Sequence, residues 1–182
     1  MFGLFNKKKI HLSKTDFVIS MLSFQQKVVA VLSRDAQKLF QPKIDAKNLQ
    51  LECEVLSLCI LSLAIQDNDL DLRNSIYVEY CHYRNFDNDT TKRFLGYLNI
   101  RCTQYYDAFN NWVKNPGAGS FVLGSVVANG LKGGESDKLE LGITNMFAAS
   151  SLFISSFKST LEFIGDLKKK YDLLEVSSVF VA

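Results

Sequence analysis

Val55-Leu56-Ser57-Leu58-Cys59-Ile60-Leu61-Ser62-Leu63-Ala64-Ile65 is apolar nearly all round, broken only by two serines. A helix without a polar face must be enclosed by other helices. The stretch therefore predicts a central helix, entered near the acidic cap residue Asp45 and surrounded by the rest of the chain. It is too short and too interrupted for a transmembrane span, so no integral membrane helix is expected.

Working outward from that helix, the pattern stays helical. Upstream, Phe17, Met21, Phe24, Val28, Val31 and Leu32 recur at three- and four-residue steps, with Ser13 or Thr15 as N-cap and Gln41-Pro42 as the stop near Phe40. Downstream, Asp67-Asn68-Asp69 reads as a turn into a third helix from about Leu70 to Asn85. A fourth helix, capped by Asp89 or Thr90, carries the inward stripe Phe94, Leu98, Cys102, Tyr105, Phe109 and Trp112, and Asn115-Pro116-Gly117 ends it. A shorter helix between Phe121 and Leu131 has small residues at Ser120, Gly124 and Ala128, which predicts close approach by neighbours on both sides, with Gly130, Gly133 and Gly134 as its exit. The last helix, capped by Ser136 or Asp137, extends to about Asp172. Its seam is Ile143, Ser150, Phe157, Ile164 and Tyr171, with Met146, Phe153 and Leu161 between them. The expected fold is all-α: a single-domain bundle of about six helices with an apolar second helix and a long C-terminal one.

Length and composition agree. A chain of 182 residues with only two prolines supports one helical domain, here residues 13–173. It is preceded by a flexible basic and aromatic arm, 1–12, and followed by an apolar tail, 174–182. A net charge of +2 gives no global attraction for nucleic acid. Lys168, Lys169 and Lys170 suit the negative end of a helix dipole. The arm sets Phe2, Leu4 and Phe5 beside Lys7, Lys8 and Lys9, a combination that allows peripheral contact with an anionic membrane. The apolar residues precede the lysines, opposite to a secretory signal, and the cytoplasm is the expected compartment. Cys53, Cys59, Cys81 and Cys102 all lie in helical apolar runs and read as buried free thiols.

Chemistry is sparse. With only His11 and His82 available, a Ser–His or Cys–His triad has almost no base to draw on. Ser155-Ser156-Phe157-Lys158 matches S-x-x-K by spacing alone. Asn115 to Gly119 lacks the Lys-Ser/Thr ending of a phosphate loop. Cys53 and Cys59, six apart, point to different helix faces, and Asp67, Asp69 and Asp71 lack the glycine and glutamate of a calcium loop. Glu79 and His82 have the E-x-x-H step of a helical metal site. A di-iron bundle needs two such motifs, leaving at most a single metal with a further carboxylate such as Glu52. No catalytic residue is assigned and no cofactor is expected.

One irregularity does point to a surface. Four of the five arginines and six of the seven tyrosines lie between Arg73 and Tyr106. Arg73, Tyr77, Tyr80 and Arg84 fall on one helical line, and Arg93, Tyr97, Arg101 and Tyr105 on another. Arg and Tyr are enriched at binding hot spots, so these eight residues form the candidate binding surface, with internal cation–π and Tyr–carboxylate contacts as the competing account. The expected function is a non-enzymatic helical interaction or assembly module that binds a protein partner or itself. The alternatives are a pocket at Glu79 and His82 for a metal or small molecule, and membrane-surface association through the arm.

Overall fold

The computed structural model describes residues 10–40, 46–65, 70–131 and 142–173. Among these the protein is an all-α bundle of six helices: α1 (Lys14–Phe40), α2 (Ala46–Ile65), α3 (Leu70–Tyr83), α4 (Asn88–Lys114), α5 (Pro116–Leu131) and α6 (Ile143–Lys170). Two short strands, β1 (Ile10–Leu12) and β2 (Tyr171–Leu173), pair in parallel, with Ile10 opposite Tyr171 and Leu12 opposite Leu173. The pairing ties down the last three residues of the segment expected to be a loose arm. The arm Met1–Lys9, the Pro42 stop, the Asp45 cap, the Asp67–Asp69 turn, Gly133 and Gly134, the Ser136 and Asp137 caps, and the tail 174–182 lie outside the described residues.

At the centre is α2. Every residue from Glu52 to Leu61 is buried, as a helix without a polar face requires. By length and composition α2 is apolar enough to cross a membrane, yet 67% of its most apolar window is buried inside the bundle, and core helices pass the same test. Each large aliphatic side chain enclosed here contributes about 1.5–3 kcal/mol relative to exposure.

Helix α1 starts on Ser13, whose hydroxyl accepts the Asp16 backbone N–H at 3.0 Å and donates to the Asp16 carboxylate at 2.7 Å. Phe17, Met21, Val28 and Leu32 are buried as expected, but Val31 is 43% exposed. The buried face is centred further round, on Val18, Gln25, Val29 and Ala36, which leaves Val31 at its edge.

The N-cap of the fourth helix lies two residues before the expected Asp89 and three before Thr90. Asp87 is its N-cap, with its carboxylate accepting Thr90 N–H at 2.7 Å. Asn85, with φ 54°, makes the left-handed turn between α3 and α4.

Asn115 separates α4 from α5 as expected, but α5 starts at Pro116 rather than near Phe121. Proline at the first helical position lacks an N–H that would have no partner there anyway. Gly124 on α5 lies directly on the Met146 backbone of α6, and Gly119 lies on the Trp112 backbone of α4. Small residues thus let α5 sit between two long helices. On α6, Ser150, Phe153 and Ile164 face the core. Ile143 and Leu161, expected in the same seam, are 64% and 40% exposed.

Candidate functional site

Glu52 and Glu54 are buried carboxylates on α2, 4% and 6% exposed. Two residues on a helix are about 200° apart, so the two acids leave α2 in nearly opposite directions. A buried carboxylate needs donors or a cation. Each of these finds both in a Tyr-x-x-x-Arg pair, whose members share one helical face.

Glu54 is met from the end of α3. The Tyr80 hydroxyl donates to Oε2, and Arg84 Nη1 donates to Oε1 at 2.8 Å. Gln50 Nε2 reaches the same Oε1 at 3.1 Å. Next to it, Gln25 of α1 donates to Ser57 Oγ at 2.9 Å, which accounts for a buried amide on an otherwise apolar face. Tyr80 is itself stacked on Phe94, ring centroids 5.3 Å apart, and burial together with the Glu54 carboxylate pushes its phenol well above the usual range.

Glu52 is met from α4. The Tyr97 hydroxyl donates to Oε1, and Arg101 Nε stands 3.7 Å from Oε2, an ion pair without a hydrogen bond. Arg101 is only 12% exposed, donates through Nη2 to Tyr105 Oη at 2.6 Å, and lies 4.7 Å above the Tyr105 ring. The two ionic partners are displaced unequally. At Glu52 burial outweighs Tyr97 and Arg101, so its carboxyl is held above the ordinary value. At Arg101 burial acts against the charge but Tyr105, Glu52 and Tyr97 overcome it, and the guanidinium is held more firmly. The unequal outcome follows from the geometry, since Arg101 has several oxygens around it while Glu52 Oε2 accepts no hydrogen bond among the described residues.

The eight residues of the two stripes are therefore divided. Tyr80, Arg84, Tyr97, Arg101 and Tyr105 are engaged with the carboxylates of α2 or with each other. Tyr77 is half-buried, with its hydroxyl 3.6 Å from Cys102 Sγ. Arg73 lines a cavity, and Arg93 is exposed with its Nε 3.4 Å from the Asp89 carbonyl. The stripes thus end on separate carboxylates, while Arg84, Arg93 and Tyr97 also remain exposed. Internal Tyr–carboxylate and cation–π contacts account for most of them.

Glu79 and His82 are on the surface, their side chains 49% and 72% exposed and 3.9 Å apart. Glu52, the further carboxylate considered for a metal there, is enclosed between α2 and α4. Among the described residues no three His, Cys, Asp or Glu side chains form a cluster fit for a metal ion.

Cavities lie at two places between the helices, and Glu54 borders the first of them. One, of about 350 Å³, lies between α1, α2 and α3, with Gln25, Gln50, Glu54, Tyr80 and Arg84 in its wall. The other, of about 390 Å³, lies among α2, α3, α4 and α6, with Cys59, Arg73, Asn99, Cys102 and Thr103 in its wall. Glu54 was missed as a functional residue in the sequence. The signal for it was present, as Glu-x-Glu entering an apolar helix together with two copies of Tyr-x-x-x-Arg. No known protein family, curated protein or solved structure matches this chain.

Proposed function

We propose that this protein is a non-enzymatic helical assembly module that pairs with a second copy of itself through the outer face of α6. The observation that carries the reading is a line of residues on that face: Ile143, Phe147, Ile154, Leu161 and Gly165. Ile143, Phe147 and Leu161 are 64%, 46% and 40% exposed, and Ile154 is half-buried. Phe147, Ile154 and Leu161 are spaced by sevens, the repeat of a helix–helix seam.

The line is also symmetric about Ile154, which suits a two-fold interface, where each patch must complement itself. In an antiparallel pair Ile154 meets its own copy, Phe147 meets Leu161, and Ile143 falls over Gly165. Among the described residues nothing lies within 4 Å of where a Cβ would stand at Gly165, so the space for Ile143 is open there. The engagement of Tyr80, Arg84, Tyr97, Arg101 and Tyr105 with the α2 carboxylates or with each other supports a contact surface on α6 rather than on α3 and α4.

Sedimentation velocity over a concentration series tests this directly. The wild type is expected to dimerise, and Phe147→Glu/Leu161→Glu to remain monomeric with unchanged helical circular dichroism. A wild type that stays monomeric throughout, or a dimer indifferent to both charges, removes the reading. A second reading, a small-molecule site, has the polar-walled cavity at Glu54 in its favour rather than Glu79 and His82. A metabolite thermal-shift screen in which Gln25→Ala abolishes any hit would support it, and an empty screen would count against it.

A further inference from the structure

Cys59 on α2 and Cys102 on α4 are far apart in sequence and adjacent in space, with Sγ atoms 2.7 Å apart. Thiols in ordinary packing do not approach so closely, and a disulfide bond is only about 2.05 Å long. The surroundings of the two sulfurs differ. Cys59 is 1% exposed. Both cysteines belong to the wall of the 390 Å³ cavity, together with Arg73, Asn99 and Thr103, but Cys102 is half-buried and is the more accessible of the two. Arg73 presents to this region a guanidinium whose buried Nε has no hydrogen-bond partner among the described residues.

We propose that Cys102 and Cys59 are a redox-active thiol pair, in which Cys102, reached through the cavity, is oxidised by hydrogen peroxide and Cys59 resolves it into a disulfide joining α2 to α4. In the first step the Cys102 thiolate attacks one peroxide oxygen. The S–O bond forms as the O–O bond breaks, sulfur gives up two electrons, and hydroxide leaves. In the second step the Cys59 sulfur attacks the Cys102 sulfenic acid. The S–S bond forms, the S–O bond breaks, and the Cys59 proton leaves with the hydroxyl as water.

The division of labour follows from the environment. The thiolate is the nucleophile, and nearby cations favour it. The Cys59 thiol, the Tyr77 hydroxyl and the charges of Arg73 and Arg101 hold the Cys102 thiol below its ordinary range, against the effect of burial. Burial and the Cys102 sulfur hold Cys59 well above its own, so Cys59 keeps its proton until the sulfenic acid forms beside it. The remaining cysteines are poor competitors. Burial pushes Cys53 up to about 11 and also raises Cys81.

The test is peroxide titration of the folded protein, read by peptide mass mapping with a sulfenic-acid trap such as dimedone. The wild type is expected to yield a Cys59–Cys102 cross-link that dithiothreitol reverses. In Cys59→Ala the trap is expected on Cys102. In Cys102→Ala thiol loss is expected to be about tenfold slower, since the activated thiolate is gone. Cys53→Ala, which leaves both sulfurs in place, is expected to cross-link as the wild type does and serves as the control for fold. Oxidation that begins at Cys53 or Cys81, a Cys59→Ala protein that traps nothing at Cys102, or a folded wild type that forms no cross-link would each overturn the proposal.

Discussion

Gly130 of α5 lies against the guanidinium of Arg101, so closely that a Cβ at position 130 would collide with both Arg101 Nη2 and the Tyr105 hydroxyl. Tyr105 is fully buried and has nowhere to retreat. Alanine at this position would gain about 0.5–1 kcal/mol from helix propensity. It would also overpack a closed site, which costs about 1–3 kcal/mol. The Arg101–Tyr105 bond decides the sign. Gly130→Ala is expected to lower stability in urea denaturation, and an unchanged or raised midpoint would mean that Arg101 is not held where the structure places it.

The Glu54 site gives a ranking. Tyr80 is buried and donates to the carboxylate that Arg84 also pairs with, so Tyr80→Phe removes a bond of the class worth about 1.5–3 kcal/mol. Arg84 is 38% exposed, and water screens its attraction for Glu54, so Arg84→Met is expected to cost about 1 kcal/mol or less. Tyr80→Phe should therefore be the more damaging change in chemical denaturation, and the double variant should depart from additivity because both donors share one carboxylate. Strict additivity would show that the two groups act separately.

Glu52 makes stability depend on pH in an uncommon direction. Burial holds its carboxyl above the ordinary 4.5, so the folded state keeps a proton that the unfolded chain has released. Where the native state binds more protons, stability falls as pH rises. Relative to Glu52→Gln, which cannot ionise, the wild type should lose stability as pH rises from about 4.5 through the raised value. Below 4.5 the two should run parallel. Melting temperatures of the pair across pH 3 to 8 check this. A wild type that instead gains on Glu52→Gln as pH rises would show that Arg101 outweighs burial.

The reading from sequence was strongest where periodicity alone sets the outcome. The enclosure of Val55 to Leu61 and the close approach at Gly124 follow from apolar or small side chains recurring at helical spacing, and the helix stop at Asn115 from the proline and glycine that follow it. It was weaker where the outcome depends on which neighbour a face meets. Val31 belongs to the apolar stripe of α1, yet the buried face extends round to Val18, Gln25 and Val29, a displacement of about a quarter turn that spacing does not specify. The Arg/Tyr concentration was evident, but its destination was not, because that depends on Glu52 and Glu54 projecting to opposite sides of α2. Asp87 rather than Asp89 or Thr90 caps α4, a choice among neighbouring capping residues that the turn at Asn85 makes.

Gly96 and Gly124 test whether α5 is tightly sandwiched. Both are helical glycines, and alanine in a helix interior is favoured over glycine by about 0.5–1 kcal/mol. At Gly96 of α4 a Cβ meets nothing within 4 Å among the described residues, so that gain is expected in full and Gly96→Ala should raise the melting temperature. At Gly124 the Cβ would collide with the carbonyl oxygen of Met146, a backbone atom that no side-chain rotation can move aside. Relief there requires α5 and α6 to separate, with loss of packing on both helices. Gly124→Ala should therefore lower stability by more than Gly130→Ala, whose obstacle includes the end of a flexible arginine. If both alanines at 96 and 124 raised the melting temperature alike, α5 would not be packed against α6 as closely as its small residues permit.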